Sequence, residues 1–209
     1  VTQNDVIRLL AYSSVAHAGF LLTGILGPTD LGAPALLFYL AAYAVSTVGV
    51  FAVAGLVRDP DGAGITDLRS WAGLGRRQPL VAGAFALLLL ALAGIPLTSG
   101  FIAKFAVFSA AVAGGAITLV VIGVLTSAIA ASFYVRVIVV MFFREPEGGA
   151  AGAAVGAVGA GDAADAVGDP AGAASTRPPV AFAHRPITLT VVAVAAVVTL
   201  ALGIMPQPL

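Results

Sequence analysis

The residue with the clearest chemical potential is Lys104, a basic side chain inside a long run of apolar residues. Burying a charged amine in a bilayer costs about 2.5–3.5 kcal/mol, so intramembrane lysines usually face an interior path or a cavity. A lysine held in such an interior can take up and release protons. The alternative is that the amine reaches the headgroups along its own stem. Because Phe101 and Phe105 flank Lys104, we predict the first role, a proton relay.

A second set of polar residues lies in the first apolar run. Ser13 and Ser14 precede His17 by four and three residues, so a helix places all three on one face. A neutral imidazole accepts a proton on one nitrogen and releases one from the other, which makes this face a candidate proton relay. The alternative is that these side chains hydrogen-bond neighbouring helices, as intramembrane Ser and His often do.

Other polar side chains in the apolar runs are not specific for a function by themselves. They are Tyr39, Tyr43, Ser46 and Thr47 in the second run, and Thr126, Ser127, Ser132 and Tyr134 in the fourth. The chain carries no phosphate-binding glycine loop and no carboxylate within an apolar run, so it offers no nucleotide site and no serine–histidine–acid set. We expect no flavin, haem or other cofactor in this chain.

The composition determines the class of protein that must position these residues. Of 209 residues, 60% are apolar and 10% are charged, and the mean hydropathy is +1.06. Soluble domains carry about 25% charged residues, so a soluble fold is excluded. Ten basic residues balance ten acidic ones, which leaves no net field for nucleic acid. No cysteine is present, so disulfides, iron–sulfur ligation and cysteine-based zinc sites are excluded, and we expect no metal centre.

Apolar runs long enough to cross a bilayer, about 20 residues, predict an all-α membrane protein of five helices. The runs are Leu9–Leu26, Pro34–Val57, Leu80–Val112, Ile117–Arg136 and Ile187–Met205. The fourth continues into an apolar and aromatic extension, 137–143, predicted to lie in the membrane interface. We divide the chain into a transport domain of four crossings (1–145), a Gly/Ala-rich flexible cytoplasmic loop (146–186), and a last helix with a short outer tail (187–209).

The third run is too long for one regular crossing. Its 33 residues would form about 50 Å of helix, against a hydrocarbon core of about 30 Å. Gly94, Pro96 and Gly100 lie in its middle and weaken the helix there. Two short crossings are one interpretation, and a single crossing with a broken helix is the other. Broken helices occur at the ion sites of transporters, whereas Gly and Pro also produce simple packing kinks.

The distribution of arginines favours the single broken crossing, because cytoplasmic connections collect basic residues. With one crossing, all the arginine-rich connections lie on one side of the membrane and all the bare connections lie on the other. The arginines are Arg8, Arg58, Arg69, Arg76, Arg77, Arg136, Arg144, Arg177 and Arg185. This interpretation places the start of the chain in the cytoplasm and the C-terminus outside.

Several stretches resemble the antiporter-like membrane subunits of respiratory complex I. The tract 8–20, RLLAYSSVAHAGF, is similar to one shared by these subunits, and 92–105, LAGIPLTSGFIAKF, is similar to the tract around their broken twelfth helix. The stretches 132–137 and 206–209 also fit. Among the siblings the pattern resembles chain N, since chain M usually has a glutamate at Lys104 and chain L follows its lysine with Asp-Glu. Here Phe105 and Ala106 follow the lysine.

The resemblance implies a fourteen-helix bundle with two inverted repeats, of which this chain would supply helices ten to fourteen. Lys104 then matches the terminal proton site of the twelfth helix, and His17 matches a histidine on the central polar axis. Tyr43 and Thr47 fall where chain L has a histidine and a lysine. The glutamate of the fifth helix and the lysines of the seventh and eighth would precede Val1, which makes the chain a fragment or truncated product.

The expected function is redox-driven proton translocation in a bacterial inner membrane. The proposed relay residues are Lys104, His17, Ser13, Ser14 and Tyr43. NADH, flavin, iron–sulfur clusters and quinone are expected in partner subunits of the complex, and the chain alone is expected to catalyse nothing. One alternative is a cation/proton antiporter subunit of the same superfamily. Another is a structural membrane segment that scaffolds its partner subunits.

Overall fold

The computed structural model describes residues 3–59, 61–144, 181–182 and 186–204. These residues are mostly helical. The helices are α1 (Val6–Thr23), α2 (Thr29–Leu56), α3 (Leu74–Arg77), α4 (Pro79–Ala93), α5 (Ser99–Ala113), α6 (Ile117–Phe143) and α7 (Pro186–Ile204). Short 3-10 helices occupy Gly24–Leu26 and Leu68–Trp71, and a two-stranded antiparallel pair joins β1 (Val57–Arg58) to β2 (Ala181–Phe182).

Among the described residues, four helices are long and apolar enough to cross a membrane. They are Val6–Leu26, Thr29–Leu56, Ile117–Phe143 and Pro186–Ile204. Where the sequence predicts a third crossing over 80–112, the structure has two shorter apolar helices, Pro79–Ala93 and Ser99–Ala113. The prediction of a multi-pass helical membrane protein is therefore confirmed, with four candidate spans and two shorter apolar helices among the described residues.

Two helix boundaries differ from the sequence-based expectation. Helix α2 begins at Thr29 and contains Asp30 and Pro34. Pro34 is past the first turn, so its missing N–H leaves one i→i−4 hydrogen bond of α2 unmade. Helix α6 does not end at Arg136 but continues to Phe143. Arg136 can lie within the helix because its guanidinium donates to the Asn4 side-chain oxygen at 2.8 Å.

The extension of α6 packs against protein. Val137 and Met141 are fully buried in the same apolar cluster as Trp71 and Leu74. The ring of Phe142 lies so close to Gly75 that a Cβ there would collide with it. The apolar and aromatic residues of 137–143 therefore cover the short helices that follow β1, which gives the extension a packing role that the sequence pattern did not reveal.

The arginines of the described chain gather at one end of the bundle. The backbone N–H groups of Val6 and Leu68 donate to Thr66 and Asn4, each at 2.7 Å, which joins the start of α1 to the connection after α2. Arg136 reaches the same place through Asn4. Arg177 and Arg185, like the predicted loop 146–186 apart from Ala181–Phe182 and Pro186, lie outside the described residues.

The segment between α4 and α5 has a specific backbone conformation. Gly94 ends α4 with φ 81°, ψ 43°, the left-handed conformation that glycine adopts without steric cost. Its N–H turns back to the carbonyls of Leu90 and Ala91. Leu97 also has a positive φ, 74°, and Thr98 is extended at the start of α5. Gly100 packs directly on the Ala91 carbonyl, where a Cβ would clash with backbone.

Contacts with other helices give the relative heights of α4 and α5. Trp71, at the arginine-rich end, packs on Phe85 of α4 with ring centroids 5.2 Å apart. The connecting segment at Leu97 and Thr98 packs on Gly203, near the far end of α7. The last turn of α5, at Ala110, packs on Gly27, at the opposite end of the bundle from the arginines. The two helices thus follow one another along the bundle.

Candidate functional site

The Lys104 amine is held at the end of α4 by three oxygen atoms. Its Nζ donates to the carbonyls of Leu92 and Ala93 and to the hydroxyl of Ser127 on α6, each at 2.9 Å. The two carbonyls belong to the last turn of α4, where a helix normally leaves its carbonyls unpaired and carries a partial negative charge. The end of α4 therefore supplies the acceptors that the buried amine needs.

The protonated form of Lys104 is fully hydrogen-bonded in this arrangement. An ammonium has three N–H donors, and all three find an oxygen, although the side chain is only 6% exposed. The ring of Phe20 adds a cation–π contact, with its centroid 5.1 Å from Nζ. The charge is thus balanced by dipoles of the backbone, a hydroxyl and an aromatic face, which permits both a charged and a neutral amine at this position.

Gly94 makes room for the amine. A Cβ added at Gly94 would lie 2.9 Å from Cδ of Lys104 and 3.1 Å from its Nζ, closer than ordinary van der Waals contact. Gly94 and Gly100, both predicted as parts of the helix break, therefore have separate roles, one against the lysine and one against α4. Pro96, the third predicted residue of the break, lies exposed between them.

His17 is held by side chains from two other helices. Its Nδ1 lies 2.8 Å from the hydroxyl of Tyr39 on α2, and its Nε2 lies 3.4 Å from the hydroxyl of Tyr134 on α6. The ring of Tyr43 stacks on the imidazole at a centroid distance of 4.7 Å. His17, Tyr39 and Tyr134 are all buried, and each ring nitrogen of His17 faces a tyrosine hydroxyl.

A small cavity lies between the two bases. It has a volume of about 10 Å³ and is lined by residues that include His17, Tyr39, Tyr43, Ser46 and Lys104. Such a volume is about the smallest that holds one water molecule, and the hydroxyls and nitrogens in its wall are suitable partners for one. We call it the lysine cavity. It brings together two of the predicted relay residues that are 87 positions apart in the sequence.

A second cavity of the same volume also has Tyr43 in its wall. Its lining includes Ser13, Ser14, Tyr43 and Thr47, and we call it the serine cavity. The Thr47 hydroxyl is buried without a hydrogen-bond partner. Since buried polar groups are nearly always paired with protein or with ordered water, this hydroxyl is suited to binding a water molecule in the cavity.

The two predicted serines have different surroundings. The hydroxyl of Ser13 is hydrogen-bonded to that of Tyr134 on α6. The hydroxyl of Ser14 donates to the carbonyl of Leu10 in its own helix, at 3.1 Å, a common arrangement for serine within helices. Ser14 therefore lines the serine cavity but is not part of the hydrogen-bonded set around His17.

Three residues of the site were not singled out from the sequence: Tyr39, Tyr134 and Ser127. Each appears among the polar residues of its apolar run, but each contacts its base from a different helix. Tyr134 is 117 positions from His17 and Ser127 is 23 from Lys104. The helical spacing of Tyr39 and Tyr43, four residues apart, is the one signal that could have indicated that both face the same partner.

These features define a class. Apolar helices that bury an amine and an imidazole in the interior of the bundle are typical of ion-coupled membrane transporters. The sequence profile of the NADH:quinone oxidoreductase/Mrp antiporter transmembrane family matches residues 1–130, and the chain belongs to this family. The family predicted from the sequence tracts is thereby confirmed.

Individual relatives support the assignment to this family. A Rhodococcus opacus (strain B4) protein named NADH-quinone oxidoreductase subunit N is 54% identical over 207 residues, which cover 99% of this chain and 33% of that protein. The subunit N of Mycobacteroides abscessus is 63% identical over 157 residues, 70% of this chain and 29% of that protein. The chain spans about a third of the length of the first of these relatives.

Solved structures agree with the fold. A chain of respiratory complex I from Thermus thermophilus with bound aureothin superposes with a TM-score of 0.73 at 30% identity, covering 98% of this chain and 39% of that one. A chain of the Mrp complex from Dietzia sp. DQ12-45-1b superposes with a TM-score of 0.70 at 26% identity, covering 97% and 40%. Both branches of the family thus contain this helical arrangement.

Proposed function

We propose that this chain is the C-terminal portion of a membrane subunit of a proton-pumping NADH–quinone oxidoreductase. In this role it translocates protons in step with quinone reduction. The relatives named subunit N, 54% and 63% identical in the matched regions, support the proposal. The redox cofactors and the quinone belong to partner subunits, with which this chain assembles in the membrane.

The observation that carries the proposal is the Lys104 amine, fully hydrogen-bonded at the end of α4 and beside the lysine cavity. A change of charge elsewhere in the complex alters the balance between its charged and neutral forms, because buried charges interact strongly through a low dielectric. Lys104 then accepts a proton from the lysine cavity and releases it toward the outer side of the membrane. His17 and Ser13 continue the inner part of the path, and Ser14 and Tyr43 line it.

We further propose that α4 and α5 form one broken crossing. Each has 15 residues, about 22 Å of helix, which is too short for a hydrocarbon core of about 30 Å. The contacts of Phe85 and Ala110 support this, because Phe85 packs on Trp71 at the arginine-rich end and Ala110 packs on Gly27 at the opposite end of the bundle. The chain then crosses the membrane five times.

The arginine-rich end is proposed to face the bacterial cytoplasm, in line with the tendency of basic residues to remain there. The 209 residues contain no cysteine, which makes single cysteines clean reporters. In cells, we expect Gly64→Cys, at the arginine-rich end, to resist membrane-impermeant thiol reagents. Asp30→Cys, exposed at the opposite end, should react. The reverse pattern would overturn the orientation.

The decisive experiment replaces Lys104 by methionine in the full-length subunit of an assembled complex. Lys104→Met retains most of the side-chain volume and removes the proton-binding amine. We expect normal assembly, loss of proton pumping in membrane vesicles, and lowered NADH–quinone reductase activity. Ser109→Ala, an exposed position on the same helix, is the control and should pump normally. Normal pumping by Lys104→Met would refute the proposal, and loss of assembly alone would favour a scaffold role.

A cation/proton antiporter subunit is the second candidate, favoured by the Mrp complex structure that superposes with a TM-score of 0.70. The two functions differ in their energy source. Sodium-dependent proton exchange by the reconstituted full-length protein, without NADH or quinone, would establish the antiporter. Proton movement that requires NADH and quinone would establish the oxidoreductase subunit.

A further inference from the structure

We propose that Tyr39 and Tyr134 pass protons through His17, so that Ser13, Tyr134, His17 and Tyr39 form one hydrogen-bonded wire between the serine cavity and the lysine cavity. The inference rests on the proposed function and assigns residues to its inner path. It follows from the contacts around His17, in which each ring nitrogen has its own hydroxyl partner.

The contacts are continuous from one cavity to the other. The Ser13 hydroxyl lines the serine cavity and is bonded to the Tyr134 hydroxyl. Tyr134 lies 3.4 Å from Nε2 of His17, and Tyr39 lies 2.8 Å from Nδ1. Tyr39 in turn lines the lysine cavity with Lys104. The one long contact, between Tyr134 and Nε2, exceeds the usual upper limit of about 3.2 Å and must shorten for transfer.

The chemistry of the groups permits two equivalent arrangements of hydrogens. In the first, Nδ1–H of His17 donates to Tyr39, while Nε2 accepts from Tyr134 and Tyr134 accepts from Ser13. In the second, every one of these donations is reversed. A neutral imidazole always has one donor and one acceptor nitrogen, and a hydroxyl can serve as either. Every group is therefore satisfied in both arrangements, and neither is favoured by an unpaired polar atom.

Passage of one proton converts the first arrangement into the second. A proton from water in the serine cavity binds Ser13 as the Ser13 hydrogen moves to Tyr134 and the Tyr134 hydrogen moves to Nε2. The Nδ1 hydrogen of His17 moves to Tyr39, whose own hydrogen leaves through water in the lysine cavity to the neutral amine of Lys104. One proton enters and one leaves, no bond between heavy atoms changes, and rotation of the hydroxyls with tautomer exchange restores the wire.

The unpaired Thr47 hydroxyl provides an independent reason to place the entrance in the serine cavity. Thr47 Oγ1 is buried without a partner there, and a water molecule that satisfies it would lie among the groups that include the Ser13 hydroxyl. Tyr43 has a different role, because it contacts both cavities and stacks on His17. Tyr43 therefore lines the path at both cavities, while the hydrogen-bonded contacts between them run through the imidazole.

The test uses substitutions that remove a hydroxyl and retain the ring, in the full-length subunit of an assembled complex. Tyr39→Phe and Tyr134→Phe interrupt the wire on either side of His17. Tyr12→Phe is the matched control, because Tyr12 lies on α1 beside this set but is 66% exposed. Proton pumping, its solvent deuterium isotope effect and the infrared bands that distinguish the two histidine tautomers are measured for each variant.

We expect Tyr39→Phe and Tyr134→Phe to assemble normally and to pump about 10²-fold more slowly, since positioned proton-transfer groups contribute roughly this much. The isotope effect should rise, and each variant should fix His17 in one tautomer, whereas Tyr12→Phe should change nothing. Wild-type pumping and isotope effect in both tyrosine variants would overturn the wire. If the tyrosine variants and Lys104→Met all pump normally, the proposed function is refuted. If the tyrosine variants pump normally but Lys104→Met does not pump, only the proposed wire is refuted.

Discussion

The two buried bases are held in different ways. Lys104 is bound mainly by backbone, through the carbonyls of Leu92 and Ala93 at the end of α4. His17 is bound by side chains, through the hydroxyls of Tyr39 and Tyr134 on other helices. The lysine site therefore depends on the backbone conformation at the end of α4, whereas we expect the histidine site to lose a partner without a change of fold. We therefore expect substitutions at the end of α4 to affect folding, and substitutions around His17 to affect proton transfer alone.

The strongest effect is expected at Gly100, where an added Cβ would collide with the Ala91 carbonyl. Backbone cannot move aside as a flexible side chain can, so overpacking should cost at least about 1–3 kcal/mol. Gly100→Ala should therefore greatly reduce the amount of assembled complex and lower its thermal stability in detergent. Gly83→Ala, with open space around its Cβ, is the control and should assemble normally. Equal stability of the two variants would contradict the close packing of α5 on α4.

His17→Gln tests the histidine site. Glutamine can hydrogen-bond to one tyrosine but cannot exchange protons as an imidazole does. We expect normal assembly and pumping reduced by about 10²-fold. Val15→Ala, 72% exposed on the same helix, should leave both unchanged. A loss of assembly in His17→Gln would show that the histidine site is also structural and would remove the contrast.

Gly94→Ala should disturb the lysine without preventing folding. The left-handed conformation costs a non-glycine residue about 1–2 kcal/mol, and the new methyl group would also press on the amine at 3.1 Å. Gly115→Ala is the matched control, because Gly115 has the same φ of 81° with open space around it. Both variants should be similarly less stable, but only Gly94→Ala should lose pumping, by about tenfold or more because charged hydrogen bonds are weakened.

Ser127→Ala removes one acceptor of the Lys104 amine and leaves the two carbonyls. An unsatisfied donor costs about 1–3 kcal/mol, and the two carbonyl acceptors remain, so we expect pumping to fall by several-fold to about tenfold. Thr126→Ala is the neighbouring control, because its hydroxyl donates to Ile122 in its own helix at 2.7 Å. Matching pumping rates in the two variants would mean that the carbonyls alone hold the amine.

The smallest effect concerns Asp5, a charged group outside the bilayer that is independent of both bases. Its carboxylate accepts from the Arg8 N–H and the Thr66 hydroxyl, which lowers its pKa below the ordinary value. The ionised form therefore stabilises the fold, fully above about pH 4 and progressively less as the pH falls through the lowered pKa. Asp5→Asn should abolish this acid dependence without affecting pumping. The measurement is thermal unfolding between about pH 3 and pH 7, a range that begins about one unit below the ordinary pKa of an aspartate and ends about three units above it.

The sequence was sufficient for the features that depend on local chemistry. Apolar runs predicted the long helices, and Gly94, Pro96 and Gly100 marked the interruption between α4 and α5. Lys104 was predicted to face the interior because Phe101 and Phe105 flank it. The partners of the bases were not predictable, because they come from other helices.

The predicted ends of two helices differ from the structure at residues that are usually unfavourable inside a helix or a membrane span. Arg136 resembled the end of a span, but Asn4 accepts its hydrogen bond and α6 continues for seven residues. Pro34 resembled a helix start, although α2 begins five residues earlier. In both cases a general preference of one residue type was overridden by its position in the bundle.

The mutual dependence of α4 and α5 has a consequence for membrane insertion during synthesis. Each half is about 22 Å long, and the amine of the second half has its acceptors in the first. A translocation channel that released α4 alone would expose its last carbonyls to lipid, and one that released α5 alone would expose a charged amine. With α4 and α5 as the single crossing proposed above, we expect the two helices to leave the channel together, with Lys104 bound to the carbonyls of Leu92 and Ala93.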